Sequence, residues 1–466
     1  MSDTTTAEQQ QAEATSNRKQ PFPQGFLDTI GEGWAEKAEP VAPAREQAPF
    51  AARRREAVSA AFPGKRLVIP AGSLKQRSND TDYPFRAHSA FAHLTGWGSD
   101  AEPDSVLVFD PTDEGHDVTL YFRERADRTT AEFYSDASVG EFWIGPRPSL
   151  DGVAADLGVA TAHIDAFEAR EGDVVLDEDA ELSRFVSELR LVKDEYEQEQ
   201  LRVAVDVTAR GFDDIVRELP RVIEHPRGER IIEGVFHQRA RSDGNWEGYD
   251  TIAAAGPHAC YLHWTRNDGR VVPGDLVLID AGVEVDSLYT ADITRTLPVN
   301  GTFSPVQRRV YEAVREAADA AFAAARPGVT FRTVHETAME VIAARTAEWG
   351  LLPVTAEEAL DADRGGQHRR YMVHGTSHHL GIDVHDCAAA RREMYYDGIL
   401  EPGMVFTIEP GLYFQIDDLT VPEEYRGIGV RIEDDILMTA DGPVNLSAGI
   451  PRTADEVEAW IARLAR

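Results

Sequence analysis

The chain has 466 residues, of which 42% are hydrophobic, and its 81 Asp and Glu against 47 Lys and Arg give a formal net charge of −34. This length exceeds one ordinary hydrophobic core, so we expect two domains, and the charge argues against nucleic acid or an anionic membrane as the main partner. Two cysteines are too few for a disulfide framework. Because neither a signal-peptide core nor a membrane-spanning apolar run is visible, we expect a cytoplasmic protein.

The first 190 residues are predicted to contain a tail and a small domain. Residues 1–45 are polar and acidic, rich in Gln, Thr, Glu, Ala and Pro, and lack sustained periodicity, so we expect a mobile tail. Residues 46–190 mix a helical pattern in "REAVSAAF" with short strand patterns in "RLVIPAG", "SVLVFD" and "DVTLYFRE", separated by Pro and Gly turns. This segment is predicted to form an N-terminal α/β domain.

The pattern changes near residue 190, and residues 191–466 are predicted to form a second domain. It opens with "LRLVKDEYEQEQLRVAVDVTARGFDDIV", whose apolar spacing predicts a long amphipathic helix. A shorter helix over "ERIIEGVFHQRARS" follows, and then a helix with Ser304 at its N-cap. The next helix is predicted to start with a capping box of Thr333 and Glu336 and to end at Gly350. The last third is strand-like.

Four carboxylates lie inside or at the ends of apolar strands, where a charge is costly unless it is paired or bound to a metal. They are Asp280 in "LVLIDAG", Asp292 in "YTADITRTLP", Glu409 in "VFTIEPGLY" and Glu433 in "GVRIEDDI". A salt bridge to Arg295 or Arg431 would explain any one of them. Two arginines cannot neutralise four buried acids, whereas two divalent cations can, so the acids predict a dinuclear metal site.

Four of the 14 histidines lie in "VHGTSHHLGIDVHD", residues 373–386. His374 and His378 have helical spacing, but Gly375 and Gly381 disfavour a regular helix. The zinc-protease helix signature of two histidines around a glutamate is absent. A site with mostly oxygen ligands and one imidazole suits Mn²⁺, with Co²⁺, Zn²⁺ or Fe²⁺ as alternatives. A histidine-dense stretch of this kind is also compatible with a solvated loop.

Five segments in order, "LVLIDAG", "DITRTLPVNG", "HGTSHHLGIDVHD", "EPGMVFTIEPGLY" and "YRGIGVRIEDDIL", resemble bacterial aminopeptidase P, a group of Xaa-Pro aminopeptidases in the pita-bread metallopeptidase family. The stretch "RSNDTDYPFRAHSAFAHLTGW" is similar to the N-terminal domain of that family. The resemblance covers roughly residues 50–465. It implies an α+β protein in which a smaller α/β domain precedes a pita-bread catalytic domain at residues 191–466.

The resemblance also implies a set of site residues. The metal ligands of the family fall on Asp280, Asp292, His378, Glu409 and Glu433. Asp292 and Glu433 would bridge the two ions, Asp280 would bind one ion, and His378 and Glu409 would bind the other. The positions around the substrate and behind the ligands fall on His263, His374, His385 and Arg431. His379 is interpreted as structural.

The activity implied by the resemblance is release of the N-terminal residue from peptides with proline in second position. Hydroxide held by two divalent ions, with Mn²⁺ as first candidate, would attack the Xaa-Pro bond. Glu409 would move the proton, and His263 or His385 would stabilise the oxyanion. The implied partners are peptides, with no nucleic acid, membrane or further cofactor, and the family commonly forms homodimers or homotetramers.

Two alternatives stay open at this point. Prolidase shares the fold and the ligands but accepts only dipeptides, and the match of "YRGIGVRIEDDI" favours longer substrates. A third reading, methionine aminopeptidase, is disfavoured because such enzymes ordinarily lack a domain like the one predicted at residues 46–190. A non-catalytic peptide-binding protein on the same fold is the more distant alternative, because fold alone does not settle function, although all five ligand residues are present here.

Overall fold

The computed structural model describes residues 22–35 and 43–465. These residues fall into two compact units, one within Met1–Ser183 and one within Arg184–Arg466. Within the described residues, no helix is both long enough and apolar enough to cross a membrane. Cys260 and Cys387 are both buried free thiols, so no disulfide links them.

The division between the two units falls inside a helix, Ala180–Glu188. The sequence places the limits of the two domains at 46–190 and 191–466, because the spacing of apolar residues changes near residue 190 to a long amphipathic helical pattern. These limits remain a proposal. The start of that pattern and the division between compact units need not coincide, because the short helix before it can belong to both units.

The tail predicted for residues 1–45 lies mostly outside the described residues, but part of it is ordered. Residues 22–35 contain a short helix, Gln24–Ile30. The Phe26 ring packs edge-on against Tyr134, with the ring centroids 5.1 Å apart. The mobility of the tail stays a prediction, and the aromatic residues of this stretch have partners that a local reading of the sequence cannot identify.

The first unit is built around a mixed five-stranded sheet. The strands of this unit are β1 (Leu67–Pro70), β2 (Gln76–Ser78), β3 (Thr81–Asp82), β4 (Val106–Thr112), β5 (Gly115–Phe122), β6 (Ala160–His163) and β7 (Val174–Val175). The sheet order is β6-β5-β4-β1-β7, and β2 pairs with β3 separately. β4 pairs antiparallel with both β1 and β5, whereas β6 and β7 add parallel strands at the edges. The apolar runs of β1 and β4 are buried, as expected for central strands.

Among the residues of the first unit that the structure describes, six helices accompany this sheet. They are α1 (Gln24–Ile30), α2 (Ala48–Ala61), α3 (Ser89–Thr95), α4 (Ala131–Ser135), α5 (Glu141–Ile144) and α6 (Leu150–Leu157). α2 corresponds to the helix predicted over "REAVSAAF", and β1, β4 and β5 correspond to the three predicted strands. Helices on a mixed sheet make this unit the predicted α/β domain.

The second unit contains helices, the first of which starts in the first unit. They are α7 (Ala180–Glu188), α8 (Glu195–Glu224), α9 (Gly228–Asp243), α10 (Pro305–Ala324), α11 (Arg332–Glu348), α12 (Ala356–Leu360) and α13 (Ala454–Leu464). α8 is the predicted long amphipathic helix. It starts at residue 195 because the Asp194 side chain accepts a hydrogen bond from Glu197 N and the Glu197 side chain bonds back to Asp194 N.

The start of α10 follows the prediction, whereas the start of α11 does not. Ser304 caps α10, and its hydroxyl accepts a hydrogen bond from Gln307 N at 3.3 Å. The capping box predicted at Thr333 is wrong, because α11 already begins at Arg332 and Thr333 lies within its first turn. Phe331 precedes the helix, is buried and packs on the ring of Phe406 at 5.4 Å. Tertiary packing therefore sets where α11 begins.

Ten short strands complete the second unit. They are β8 (Trp246–Glu247), β9 (Ile252–Ala255), β10 (Leu276–Ala281), β11 (Val283–Glu284), β12 (Ile293–Pro298), β13 (Val405–Ile408), β14 (Gly411–Tyr413), β15 (Gly429–Arg431), β16 (Asp434–Thr439) and β17 (Gly442–Asn445). They form antiparallel sheets in the orders β12-β10-β9, β13-β16-β17, β14-β15 and β11-β8. β10 and β12 are buried along their whole length, so acids at their ends are drawn into the interior.

Candidate active site

A cavity of about 530 Å³ in the second unit brings together the nine ligand and substrate-site residues implied by the resemblance. Its lining includes Asp280, Asp292, His378, Glu409, Glu433, His263, His374, His385 and Arg431. These residues are separated by up to 170 positions in the chain, from 263 to 433. The fold therefore places the strand acids and the histidine-rich stretch around one space, which no local pattern in the sequence can show.

Strand ends hold the four acids in place. Asp280 lies near the end of β10, opposite Thr294 of β12, and Asp292 immediately precedes β12. Glu433 stands between β15 and β16, and Glu409 directly follows β13. Asp280, Asp292 and Glu433 are 7%, 5% and 1% exposed. Burial of this degree makes each charge costly unless it has a partner.

The histidine-rich stretch contains no regular helix, and the backbone next to β13 holds it in place. Thr407 N donates to the His378 carbonyl at 2.9 Å, and His378 N donates to the Thr407 hydroxyl at 3.2 Å. Glu409 N donates to the Thr376 carbonyl at 2.8 Å. These bonds fix the position of His378 relative to Glu409. His379, by contrast, points away from the acids and packs against Phe331, with ring centroids 4.6 Å apart.

His378 faces three of the carboxylates. Its Nε2 lies 3.2 Å from Asp292 Oδ2, 3.6 Å from Glu409 Oε1 and 4.0 Å from Glu433 Oε1. The possible ligand atoms of Asp292, His378 and Glu433 all lie within 4.8 Å of one another. His378 Nδ1 is 3.2 Å from the His379 carbonyl, to which it donates in the tautomer that leaves Nε2 free for a metal.

Tyr249 connects Asp280 to Asp292, and no pattern in the sequence indicates this contact. The Tyr249 hydroxyl lies 2.6 Å from Asp280 Oδ1 and 2.5 Å from Asp292 Oδ1. Because a hydroxyl has one proton, it donates to only one of these carboxylates at a time. A lone tyrosine in "EGYDTI", 31 and 43 positions away from its partners, carries no recognisable signal.

Arg431 is the cation that reaches the acids. Its guanidinium donates to Asp280 Oδ2 and, at 3.1 Å, to the hydroxyls of Tyr413 and Thr294. The Thr294 hydroxyl in turn donates to Glu433 Oε2 at 2.6 Å. Arg295, the other partner considered from the sequence, bonds instead to Asp434 at 2.7 Å and to backbone carbonyls. One guanidinium therefore faces four carboxylates.

The close approach of the four carboxylates shifts the pKa values of the site residues. Burial raises the pKa of Glu433 well above its usual range, and the charges of Asp292 and Glu409 raise it further. Burial also raises the pKa of Asp292 and brings the pKa of Glu409 to about 7. Burial alone would lower the pKa of His378, but its hydrogen bond to Asp292 and the charge of Glu409 raise it to about 9. Arg431 and His378 supply too little positive charge for four carboxylates, and divalent cations would supply the rest.

The three remaining histidines lie on different parts of the cavity wall. His374 is bonded at both ring nitrogens, with Nδ1 2.6 Å from the Gly375 carbonyl and Nε2 2.8 Å from the Tyr413 hydroxyl. Burial, together with the charge of Arg431, lowers the pKa of His374 to about 3, so this ring is neutral. The His385 ring lies 4.2 Å from the His378 ring, and His263 is exposed at the wall.

The donor set fits divalent metal ions. It consists of carboxylate oxygens and one imidazole nitrogen, which is the ligand type that Mn²⁺ and similar ions accept. The acids are held by strand ends, Tyr249 and Arg431, so the ligands are already oriented. A set of four carboxylates and one arginine is also too negative to be a salt-bridge cluster.

Comparisons with known proteins agree with this site. The sequence matches "Metallopeptidase family M24" over residues 199–440 and "Aminopeptidase P, N-terminal domain" over residues 50–180. Xaa-Pro aminopeptidase 1 of Streptomyces coelicolor is 51% identical over 482 residues, which cover 97% of this chain and 96% of the relative. Xaa-Pro aminopeptidase 2 of the same organism is 53% identical over 456 residues, which cover 93% and 95%.

Solved structures show the same likeness. The low-pH form of aminopeptidase P from Escherichia coli superposes with a TM-score of 0.76 at 31% sequence identity, and the match covers 90% of this chain and 99% of that chain. The fold expected from the sequence, an α/β domain followed by a pita-bread catalytic domain, is confirmed. The chain therefore belongs to metallopeptidase family M24 and is, within that family, a metal-dependent aminopeptidase of the Xaa-Pro type.

Proposed function

We propose that two divalent ions, with Mn²⁺ as first candidate, are held by Asp280, Asp292, His378, Glu409 and Glu433. Asp292 and Glu433 would bridge the ions, Asp280 would hold one of them, and His378 with Glu409 would hold the other. The observation that carries the proposal is the convergence of four buried carboxylates and one imidazole on one cavity. When bound, the ions supply Lewis-acid polarisation of the scissile carbonyl and of the attacking water.

The residues of the chain handle the proton and the developing charge. Glu409 faces His378 through one oxygen and His374 through the other, each at 3.6 Å. It can therefore accept the proton of the water and return it to the departing proline nitrogen. His263 and His385 line the same cavity and would donate to the oxyanion of the tetrahedral intermediate.

Arg431 would hold the metal ligands in position, and His374 would hold the substrate in position. Arg431 bonds to Asp280 and, through Tyr413, is linked to His374. The cavity wall also contains Ile252, Leu262 and Val384, an apolar surface that suits the proline ring and asks for no N–H from the tertiary amide of an Xaa-Pro bond. The proposed substrates are peptides of three or more residues with proline in second position.

The experiment compares a Xaa-Pro-Yaa tripeptide with the matching Xaa-Pro dipeptide. Protein stripped of metal and refilled with Mn²⁺, Co²⁺ or Zn²⁺ is assayed beside Asp280→Ala, with Asp286→Ala as a control for an exposed aspartate of the same unit. Metal-dependent cleavage of the tripeptide, lost only in Asp280→Ala, supports the proposal. Turnover of the dipeptide alone would identify a prolidase, and binding of two ions without turnover of either peptide would favour a non-catalytic peptide-binding protein.

Two further predictions accompany this proposal. The homodimer or homotetramer expected from the family can be measured by light scattering of the metal-loaded protein. The cytoplasmic location expected from the sequence stays a prediction that fractionation of cells would check. Neither prediction affects the assignment of the site residues.

A further inference from the structure

Glu229 is a fully buried carboxylate outside the catalytic cavity, and it accepts four hydrogen bonds. It lies in the first turn of α9 and is 0% exposed. Its Oε1 accepts from Ala255 N at 2.8 Å and from His258 Nδ1 at 2.7 Å. Its Oε2 accepts from Trp264 Nε1 at 2.9 Å and from Gly269 N at 2.6 Å. A carboxylate has about four acceptor sites, so the hydrogen-bonding capacity of Glu229 is filled.

All four donors belong to one segment, residues 255–269, which runs from the last residue of β9 into the connection to β10 and which we call the clamped loop. Ala255 and Gly269 stand at its two ends, so a single carboxylate ties the ends together. Glu229 N adds a bond to the Gly269 carbonyl at 3.3 Å. Inside the loop, the rings of His258 and Trp264 stack at 3.9 Å while each donates to a different oxygen of Glu229.

The backbone of Gly269 packs closely against the Glu229 carboxylate and the His258 ring. A methyl group added to Gly269 would lie 2.7 Å from Glu229 Oε2 and 2.7 Å from His258 Cε1. Such contacts are closer than carbon and oxygen atoms tolerate, so Gly269 permits the backbone to approach the carboxylate. The clamped loop is therefore held by direct, tightly packed bonds.

The clamped loop forms part of the wall of the catalytic cavity. Leu262, His263 and Thr265 line that cavity. His263 immediately precedes Trp264, the residue whose indole N–H is fixed by Glu229. A small rotation of Trp264 would move His263 relative to the metal ligands, and displacements of about 1 Å in a substrate-contacting group can cost 10²-fold in rate.

We propose that Glu229 is a positioning residue for the peptidase reaction, which fixes the clamped loop so that His263 meets the substrate. This inference rests on the proposed function, because that function places His263 at the oxyanion. The chemistry requires a carboxylate. In glutamine, either orientation of the amide turns an NH₂ group toward N–H donors, against Trp264 and Gly269 in one orientation and against Ala255 in the other.

The test is a double-variant comparison of Glu229→Gln and His263→Ala. kcat and KM for a Xaa-Pro-Yaa tripeptide are measured together with the number of metal ions per chain. We expect Glu229→Gln to lower kcat about tenfold with little change in KM or metal content. In the His263→Ala background, the same change should alter kcat by less than about twofold, because the group that it positions is gone.

The control is Glu233→Gln on the same helix. Glu233 lies one turn later, is partly exposed, accepts a 3.2 Å bond from Asn267 of the clamped loop and pairs with Arg230 at 3.2 Å. Its loss should leave kcat within about twofold of the unsubstituted protein, since it does not bond to Trp264. A tenfold loss in Glu233→Gln would overturn the inference, because any weakening of the loop would then suffice.

Other outcomes separate this inference from the proposed function. An equal loss of kcat on adding Glu229→Gln to both backgrounds would overturn the inference, since Glu229 would act independently of His263. Full activity of His263→Ala would overturn both the inference and the role of His263, while the activity lost in Asp280→Ala would still establish the peptidase. If Glu229→Gln does not fold, Trp264→Phe removes one donor to Glu229 and is judged by the same comparison.

Discussion

The Tyr413 hydroxyl lies 2.8 Å from His374 Nε2, and Arg431 donates to the same hydroxyl at 3.1 Å. Tyr413 is 5% exposed, so this bond is shielded from water. We predict that Tyr413→Phe lowers kcat/KM about tenfold, because a freed His374 no longer keeps one orientation toward the substrate. Metal content should be unchanged, and steady-state kinetics with metal analysis would measure both.

Tyr371→Phe is the matched control for this prediction. Tyr371 is 2% exposed, and its hydroxyl donates to the Leu351 carbonyl at 2.9 Å, away from the cavity. Tyr371→Phe loses one buried hydrogen bond and Tyr413→Phe loses two, so each variant should lose about 1 kcal/mol of the free energy of unfolding per bond. A similar loss of activity in both variants would contradict the prediction, since it would show a general effect of stability.

Tyr249 is predicted to tune the affinity for metal. Its hydroxyl contacts Asp280 and Asp292, both of which are proposed ligands. Partners of metal ligands typically contribute 10–100-fold to affinity, so Tyr249→Phe should weaken the binding of Mn²⁺ about tenfold or more. Titration calorimetry on the metal-free protein would measure the dissociation constant.

Tyr289→Phe provides the comparison, because its hydroxyl also donates to a carboxylate, Glu197, at 2.8 Å. Tyr289 is 2% exposed and does not line the cavity. The affinity of this variant for Mn²⁺ should match that of the unsubstituted protein. Equal affinities in Tyr249→Phe and Tyr289→Phe would show that Asp280 and Asp292 keep their positions without the bridging hydroxyl.

Removal of metal should expose the repulsion among the acids. Burial and the charges of Asp292 and Glu409 raise the pKa of Glu433 well above its usual range. A carboxyl with a raised folded-state pKa destabilises the fold as pH rises past its unfolded pKa of about 4.3. The thermal midpoint of chelator-treated protein should therefore fall from pH 5 to pH 8, and added Mn²⁺ should restore it.

Glu433→Gln should raise the thermal midpoint in the absence of metal and lower it in the presence of metal. Without metal at pH 8, the variant should unfold at a higher temperature than the unsubstituted protein, because it has lost a carboxyl whose pKa is raised in the folded state and which therefore destabilises the fold at this pH. With Mn²⁺ the order should reverse, since a ligand has been lost. Glu316→Gln, which affects an exposed pair with Arg345, should show neither effect. A lower midpoint of metal-free Glu433→Gln at pH 8 would contradict the proposed repulsion.

Residues whose chemistry conflicts with their surroundings could be identified from the sequence as candidate site residues. Asp280 in an apolar strand is conspicuous because burial of a charge is costly, and the motifs gave the family. Tyr249 and Glu229 could not be found in this way, because a tyrosine or a helical glutamate is ordinary until the fold brings its partners near. Thr333 shows the opposite error, since a correct local capping pattern was overruled by the packing of Phe331.

Asp386 neighbours His385 and is 1% exposed. It pairs with Lys193, itself buried, at 3.1 Å and with Arg190 at 3.0 Å. Burial alone would raise the pKa of Asp386, but the charges of Arg190 and Lys193 lower it well below its usual range. Asp386→Asn leaves two buried cations without this partner and should reduce the free energy of unfolding by about 3–5 kcal/mol.

The dependence of this loss on pH follows from the lowered pKa of Asp386. A carboxyl with a depressed folded-state pKa stabilises the fold at every pH above its unfolded pKa of about 3.9, and this contribution fades as pH falls toward the folded-state pKa. The difference between Asp386→Asn and the unsubstituted protein, measured by denaturant unfolding, should be constant from pH 8 to pH 5 and shrink below about pH 4. Asp455→Asn, at an exposed pair with Arg308, should cost less than about 1 kcal/mol throughout. A difference for Asp386→Asn that stays constant down to pH 3 would mean that the lost group stabilised the fold by packing, because protonation of the carboxylate would then remove nothing.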